Sequence, residues 1–117
     1  MLDTELTIKT VAHVRRMERQ DRTLSLQQVE GPGAGQSFML DKLEMVIGRA
    51  RDADLHVRSD RISRHHAILE RKGTDYVIRD NDSVNGILLN GIKIHSAVLR
   101  DGDVVQAGDA IFVYREG

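Results

Sequence analysis

Residues 87–94 read Ile87-Leu88-Leu89-Asn90-Gly91-Ile92-Lys93-Ile94, two three-residue apolar runs on either side of an Asn-Gly pair. A two-residue loop must accept positive φ at both central positions, and Asn-Gly does so at least cost. The octet therefore predicts a tight β-hairpin. The same rhythm extends outward in both directions. Upstream, Leu24 to Val29 is broken by Gly31-Pro32-Gly33-Ala34-Gly35, and Ser37 to Leu40 and Met45 to Ile47 follow. His66 to Glu70 and Tyr76 to Arg79 flank the Lys72-Gly73 turn. Downstream, Asp101-Gly102 and Gly108-Asp109 bracket Val104-Val105, and Ala110 to Tyr114 closes the series. Many short strands at close spacing, with no helical period after residue 23, predict an all-β sandwich or barrel.

Residues 1–22 differ. They hold no Gly and no Pro, and Ile8 and Val11, with Val14 or Met17, recur near helical spacing with Arg15, Arg16, Glu18 and Arg19 on other faces. The segment is either a short amphipathic helix or a partly disordered tail, since a helix this short is marginal alone. The expected organisation is a tail or helix over 1–22 and one β domain over 23–117.

The bulk numbers narrow the function. A chain of 117 residues suggests one domain, able to bury most of its apolar side chains without staples. There is no cysteine, which removes disulfides, thiolate metal sites and a Cys nucleophile, and fits a reducing, cytoplasmic setting. A net charge of -1 lacks the basic excess of a nucleic-acid binder. No apolar run is long enough to span a bilayer, and the first ten residues do not read as a secretion signal.

The chemistry concentrates in residues 48–66, which carry Arg49, Arg51, Arg58, Arg61 and Arg64 and no lysine. Guanidinium forks match phosphate oxygens geometrically, where an ammonium acts as a point charge. Ser59 and Ser63 add hydroxyl donors. Asp52, Asp54 and Asp60 offset part of the charge, which favours a focused site for one phosphate over a diffuse polyanion surface. The plain alternative is a solvated loop whose arginines pair with those aspartates. A second polar stretch, Arg79-Asp80-Asn81-Asp82-Ser83-Val84-Asn85-Gly86, lies between two strand runs and is a loop at one end of the sandwich. Asn85 is able to hydrogen-bond a peptide backbone through both its carbonyl and its amide, or is simply part of an Asn-Gly turn.

Taken in order, Gly48-Arg49, Ser63-Arg64-His65-His66-Ala67, Asn85-Gly86, Asn90-Gly91 and Leu99-Arg100-Asp101-Gly102-Asp103 resemble the forkhead-associated (FHA) domain family over roughly residues 24–115. The resemblance implies an all-β sandwich of about eleven strands whose loops bind phosphothreonine peptides. It implies that Arg49 and Ser63 contact the phosphate, that Arg64 contacts phosphate or peptide, and that Asn85 holds the peptide main chain. Gly48, His66 and Gly86 match structural positions: Gly48 for a close turn, His66 to tie neighbouring loops together. Two residues depart from the family pattern. Val84 stands where Thr, Ser or Lys is common, which removes a polar group from the phosphate's surroundings, and Ile87 stands where Thr is usual. Arg58, Arg61 or Arg64 can compensate.

The expected function is thus recognition of a phosphothreonine protein downstream of a Ser/Thr kinase, with no catalysis, cofactor or metal, and with no nucleic-acid or membrane partner. Thr4, Thr7 and Thr10 are three of the five threonines in the chain, which makes a phosphorylated tail a candidate ligand for the domain itself. Two rival readings are a Ser63–His66–Asp80 hydrolase relay and a phospho-independent interaction or dimerisation module on the same scaffold. FHA domains are also found fused to signalling enzymes, diguanylate cyclases among them, so the family leaves room for a regulatory role in a larger protein.

Overall fold

The computed structural model describes residues 23–117. The helix or tail expected over 1–22, and with it Thr4, Thr7 and Thr10, lies outside the described residues. Eleven strands follow one another with no helix among the described residues: β1 Leu24–Glu30, β2 Ser37–Met39, β3 Glu44–Gly48, β4 Leu55–His56, β5 Ala67–Lys72, β6 Asp75–Asp80, β7 Ile87–Leu89, β8 Ile92–Ile94, β9 Ser96–Val98, β10 Val104–Ala107 and β11 Ala110–Glu116. They form two sheets, β2-β1-β11-β10-β7-β8 and β4-β3-β5-β6-β9, packed face to face. Every described pairing is antiparallel except β3 with β4. The chain is the all-β sandwich of eleven strands that the sequence implies.

Alternation builds the core. Side chains on a strand point to opposite faces, so every second residue enters the space between the sheets. Leu24 and Leu26 enter from β1, Met45 and Ile47 from β3, Ala67 and Leu69 from β5, and Tyr76 and Ile78 from β6. Val105 and Ala107 enter from β10, and Ala110, Phe112 and Tyr114 from β11. With aromatics scarce, aliphatic side chains fill most of the volume, and Phe112 with its neighbour Phe38 forms a tilted ring pair at 6.3 Å. Full burial of a Leu, Ile or Phe contributes about 1.5–3 kcal/mol, so the facing rows of β3, β5, β10 and β11 suffice to clamp the layers. Two strands have no counterpart among the sequence runs: β4 has two residues, and β9 buries none of its three fully.

The β7–β8 hairpin turns as its sequence requires, with φ of 50° at Asn90 and 83° at Gly91. The Asn90 amide also donates to Asp103 (3.0 Å), and its carbonyl oxygen accepts the Val104 N–H (2.9 Å), which ties the hairpin to the start of β10.

The β1–β11 pair gives the sandwich two distinct ends. At one, Leu24 opposes Glu116, and the Gly117 N–H donates to the Thr23 carbonyl (2.7 Å). At the other, Glu30 opposes Ile111 and the β10–β11 turn presents Gly108 and Asp109. The β3–β4, β4–β5 and β6–β7 loops gather at this second end, because β3 and β6 finish there and β5 and β7 begin there.

Candidate functional site

The site starts from a close approach of two backbones. At the end of β3, a Cβ placed on Gly48 would meet the Arg64 carbonyl oxygen at 1.9 Å. Gly48 has no positive φ, so the glycine is required by proximity and not by the close turn that the family pattern suggested. The approach lets the Arg49 N–H donate to the Ser63 carbonyl (3.1 Å) and the Ala50 N–H to the Arg64 carbonyl (3.0 Å). The Arg49 Nε donates to the Ile62 carbonyl (3.2 Å), and the His56 Nε2 lies 3.1 Å from the Arg49 carbonyl. The β3–β4 and β4–β5 loops are thereby laid side by side, with the stem of Arg49 fixed and its two terminal nitrogens unengaged among the described residues.

His66 joins a third loop to these. It is fully buried, accepts the Ser63 N–H at Nδ1 (3.0 Å) and donates from Nε2 to the Gly86 carbonyl (2.8 Å). These bonds specify the neutral tautomer with its proton on Nε2. Ser63 Oγ in turn accepts the Val84 N–H (3.0 Å). A hydroxyl has one proton, and here its acceptor side is used inside the protein, which leaves the proton free to donate outward. The β6–β7 loop holds its own shape through Ser83, whose hydroxyl bonds the Asp80 carboxylate and accepts the Gly86 N–H (2.9 Å). Asn81 Nδ2 donates to the His65 carbonyl (3.0 Å) and closes the seam from the other side.

Asn85 donates from Nδ2 to the Arg61 carbonyl (2.7 Å), so its Oδ1 faces out and is free for a ligand N–H. The Arg61 position is itself supported from below. Its N–H donates to Ser59 Oγ (3.1 Å), Ser59 Oγ donates to the Asp109 carboxylate (2.6 Å), and Gly108 lies against the Arg61 carbonyl so closely that a Cβ there would stand 2.6 Å away. The sequence marked Ser59 as a hydroxyl donor and Asp109 as a turn residue, but not as partners. Fifty residues separate them, and nothing local in either segment signals the pairing.

Arg49, Arg61, Ser63, Arg64, Val84 and Asn85, with Asp60 and Ile62, line one open groove of about 260 Å³. Arg58 is not among them. It borders a separate hollow beside Pro32 and Phe38. Val84 itself is 89% exposed. The pairing of arginines with aspartates considered above does not occur among the described residues: Asp54 pairs with Lys42 (2.7 Å) and Asp52 with His65 (3.3 Å). Burial pushes the Asp54 carboxyl up, but the hydrogen bonds from Lys42 and the Val46 N–H, with the Lys42 charge, outweigh it and hold the group below its ordinary value.

The imagined hydrolase relay is not assembled. Ser63 Oγ faces the Val84 N–H and not His66, both His66 nitrogens are engaged with backbone, and Asp80 is bonded to Ser83. Nor do His56, His65 and His66 gather: His66 points into the core, His65 is exposed, and both precede β5 instead of lying on it. No group of three metal-ligating side chains occurs among the described residues.

A family model described as the FHA domain matches residues 45–108, the span that contains the β3–β4, β4–β5 and β6–β7 loops. The glycogen accumulation regulator GarA of Mycolicibacterium smegmatis is 37% identical over 87 residues, which are 74% of this chain and 55% of that protein. The transcriptional regulatory protein EmbR of Mycobacterium tuberculosis is 33% identical over 120 residues, covering 97% of this chain and 31% of EmbR. The chain spans between 8% and 60% of the length of the curated relatives matched first. Among solved structures, Mycobacterium tuberculosis EmbR in complex with a low-affinity phosphopeptide superposes with a TM-score of 0.78 at 29% identity, covering 98% of this chain and 32% of that one. An FHA domain solved in a study of phosphothreonine-dependent FHA domain interactions superposes at 0.73 with 28% identity, covering 80% of this chain and 95% of that one. With the family model spanning more than half of its residues, the chain belongs to the FHA domain family.

Proposed function

We propose that this chain binds phosphothreonine peptides in the groove between its β3–β4, β4–β5 and β6–β7 loops. The observation that carries this reading is the pairing of Ser63 with Val84: the hydroxyl spends its acceptor side on a backbone N–H and offers its proton to the groove, beside Arg49, whose stem is already fixed. A phosphate near -2 meets donors that need little ordering on binding. In this assignment Arg49 and Ser63 take phosphate oxygens, Arg64 and Arg61 add charge at the rim, and Asn85 Oδ1 accepts a peptide N–H. The bonds of Gly48, His66 and Gly86 hold the three loops in register. Such a reader acts downstream of a Ser/Thr kinase in the cytoplasm and carries out no bond chemistry. No helix among the described residues is long and apolar enough to cross a membrane.

The chain also offers an internal ligand. Residues 1–22 carry Thr4, Thr7 and Thr10, and Thr4 lies between Asp3 and Glu5. They join β1 at the end of the sandwich away from the groove, so a tail threonine must reach back along β1, a strand of roughly 24 Å. From Thr4 to Leu24 an extended chain covers roughly 65 Å, which suffices even with part of it helical. A phosphorylated tail threonine would then compete with external peptides through its high effective concentration.

The test is titration calorimetry with a degenerate phosphothreonine pool, its phosphoserine counterpart and the unphosphorylated pool. We expect the phosphothreonine pool alone to bind, and Arg49→Ala to weaken it by about tenfold to a hundredfold, the value of a charge-assisted hydrogen bond. Unchanged affinity in Arg49→Ala would sink the assignment and point to the phospho-independent module, for which the exposed Val84 is the supporting observation. Repeating the titration after kinase treatment, with and without residues 1–22, tests the tail: only a tail ligand makes truncation restore external binding.

A further inference from the structure

β11 runs Ala110-Ile111-Phe112-Val113-Tyr114 without a polar break. Ala110, Phe112 and Tyr114 enter the core, so Ile111 and Val113 stand on the outer face of their sheet, half-buried. An antiparallel strand with one wet face alternates apolar with polar, whereas a run apolar on both faces marks a strand covered on both sides. Pairing spreads this outer apolar surface over neighbouring strands. Val113 opposes Val104 of β10, and Gln106 lies between Ile111 and Leu88 of β7. Val104 is 38% exposed, and Val29, in the β1 bulge beside Ile111, is 52% exposed. The outer face of the other sheet carries Val46, Ile68, Val77 and Val98, but it is differently finished. There Arg79, opposite Ile68, bonds Glu70, opposite Val77, so an ion pair spans the middle of that face.

We propose that residues 1–22 of the same chain cover the β7–β10–β11 face, with Ile8, Val11 and Val14 set against it. The place where the segment joins the fold argues for this occupant. It leads into Thr23 and β1, which lies beside β11 in the same sheet. Leu24 opposes Glu116, and Val113 is three residues further along, roughly 10 Å away. The chain between Val14 and Leu24 reaches roughly 30 Å when extended, ample for a turn back over the sheet. Ile8, Val11 and Val14 recur every three residues, so a helical segment sets them on one side over about 9 Å. The two rows they would meet, Val113 with Val104 and Ile111 with Leu88, are roughly 7 Å apart along the strands. Size argues against a second copy. The patch is roughly 14 Å by 7 Å between Cα positions, whereas a stable interface between separate molecules needs about 800 Å² from each. A tethered segment faces no such threshold, because its effective concentration is high. The proposal needs no phosphate and stands apart from the phosphothreonine reading.

The experiment uses the whole, unphosphorylated chain. It contains no cysteine, so His13→Cys gives one attachment point for a nitroxide, on the side of the segment away from Ile8, Val11 and Val14. The nitroxide broadens the NMR signals of amides near it. We expect Leu88, Val104, Ile111 and Val113 to lose most of their amide intensity, and Val46, Ile68 and Val77 on the opposite outer face to keep theirs. Ile8→Asp with Val11→Asp should restore the lost signals. These substitutions lie outside the β-sandwich, so its own spectrum reports at once that the fold is intact. Val104→Lys, made separately, should restore them from the sheet side. The proposal is overturned if the four amides keep their intensity, if both outer faces broaden alike, or if broadening survives Ile8→Asp with Val11→Asp. Broadening that falls on Ser63 and Asn85 instead would put the segment in the groove and overturn it too. A mixture of nitroxide-bearing chain with isotope-labelled chain lacking the nitroxide tests the second copy: broadening of the same four amides there would assign the face to a dimer and overturn the proposal, and its absence supports the chain's own segment.

Discussion

At the scale of single residues, the site depends on atoms that touch no ligand. Gly48 illustrates this. Where a Cβ at Gly35 or Gly73 would meet open space, one at Gly48 would overlap the backbone of Arg64. Backbone cannot rotate aside as a side chain can, so Gly48→Ala must part the β3 end from the Ser63–Arg64 loop. We expect it to lower stability by about 1–3 kcal/mol or more, seen as a drop in urea midpoint, and to weaken phosphopeptide binding further than the stability loss explains, because the Arg49–Ser63 bond is what parts. An unaltered midpoint would mean that the two backbones are not in contact. The sequence revealed the residue here and not its reason: a glycine before an arginine is legible, whereas its distance to a carbonyl sixteen positions later is not. His66 is similar. Its type at that position marked it as a candidate, but its tautomer follows only from finding the Ser63 N–H on one ring nitrogen and the Gly86 carbonyl on the other. The pairing of Ser59 with Asp109 left no trace in sequence: one was legible as a hydroxyl donor and the other as a turn residue, but nothing local joins positions fifty apart.

Strands were legible in proportion to their length and to the chemistry of their turns. The limits of β7 and β8 coincide with their apolar runs because Asn90-Gly91 fixes both inner ends. The limits of β5 and β6 extend past theirs, into Lys72, Asp75 and Asp80, because ladder hydrogen bonds continue where side-chain apolarity stops. β4 was invisible: two residues show no period, and the strand exists because Leu55 and His56 find the outer edge of β3. One step before that pairing, the Asp54 carboxylate accepts the Val46 N–H (2.9 Å) and takes over the edge that β4 is too short to cover. This gives β4 a pH dependence with a definite sign. The Lys42 and Val46 hydrogen bonds hold the Asp54 carboxyl below its ordinary value in the folded chain, so its contribution is complete above the ordinary carboxylate range and is lost as the pH falls through the lowered folded value. We expect Asp54→Asn to melt at a lower temperature than the parent at neutral pH. The gap should stay constant above the ordinary carboxylate range and close as the pH falls below it, where the parent carboxyl protonates too. Melting temperatures recorded from neutral into strongly acid solution check it, and a gap that persists unchanged in strong acid would mean that Asp54 acts by shape and not by charge.

For the whole molecule, the decisive feature is the separation of Thr23 and Gly117 from the loops that form the groove. β1 and β11 run side by side, so Thr23 and Gly117 meet at one end of the sandwich while Arg49, Ser63 and Asn85 are presented at the other. The sandwich between them is held by alternating rows from both sheets, and local events at one end reach the other only through that packed core. A domain arranged this way can be carried by a longer protein without cost to its ligand, which suits relatives of which it matches only part. We therefore expect that a folded domain fused after Gly117 through a short flexible linker leaves the phosphothreonine-peptide Kd within about twofold, while a domain inserted in the β6–β7 loop at Asp82 abolishes binding through loss of the Val84–Ser63 and Asn85–Arg61 bonds. Calorimetry on the two fusions, each checked for a native melting transition, reads the contrast directly. A tenfold loss from the Gly117 fusion would show that the ligand travels along the β1–β11 flank toward Thr23 and Gly117 instead of remaining on the loops, and would redirect the search for contacts to the outer face of that sheet.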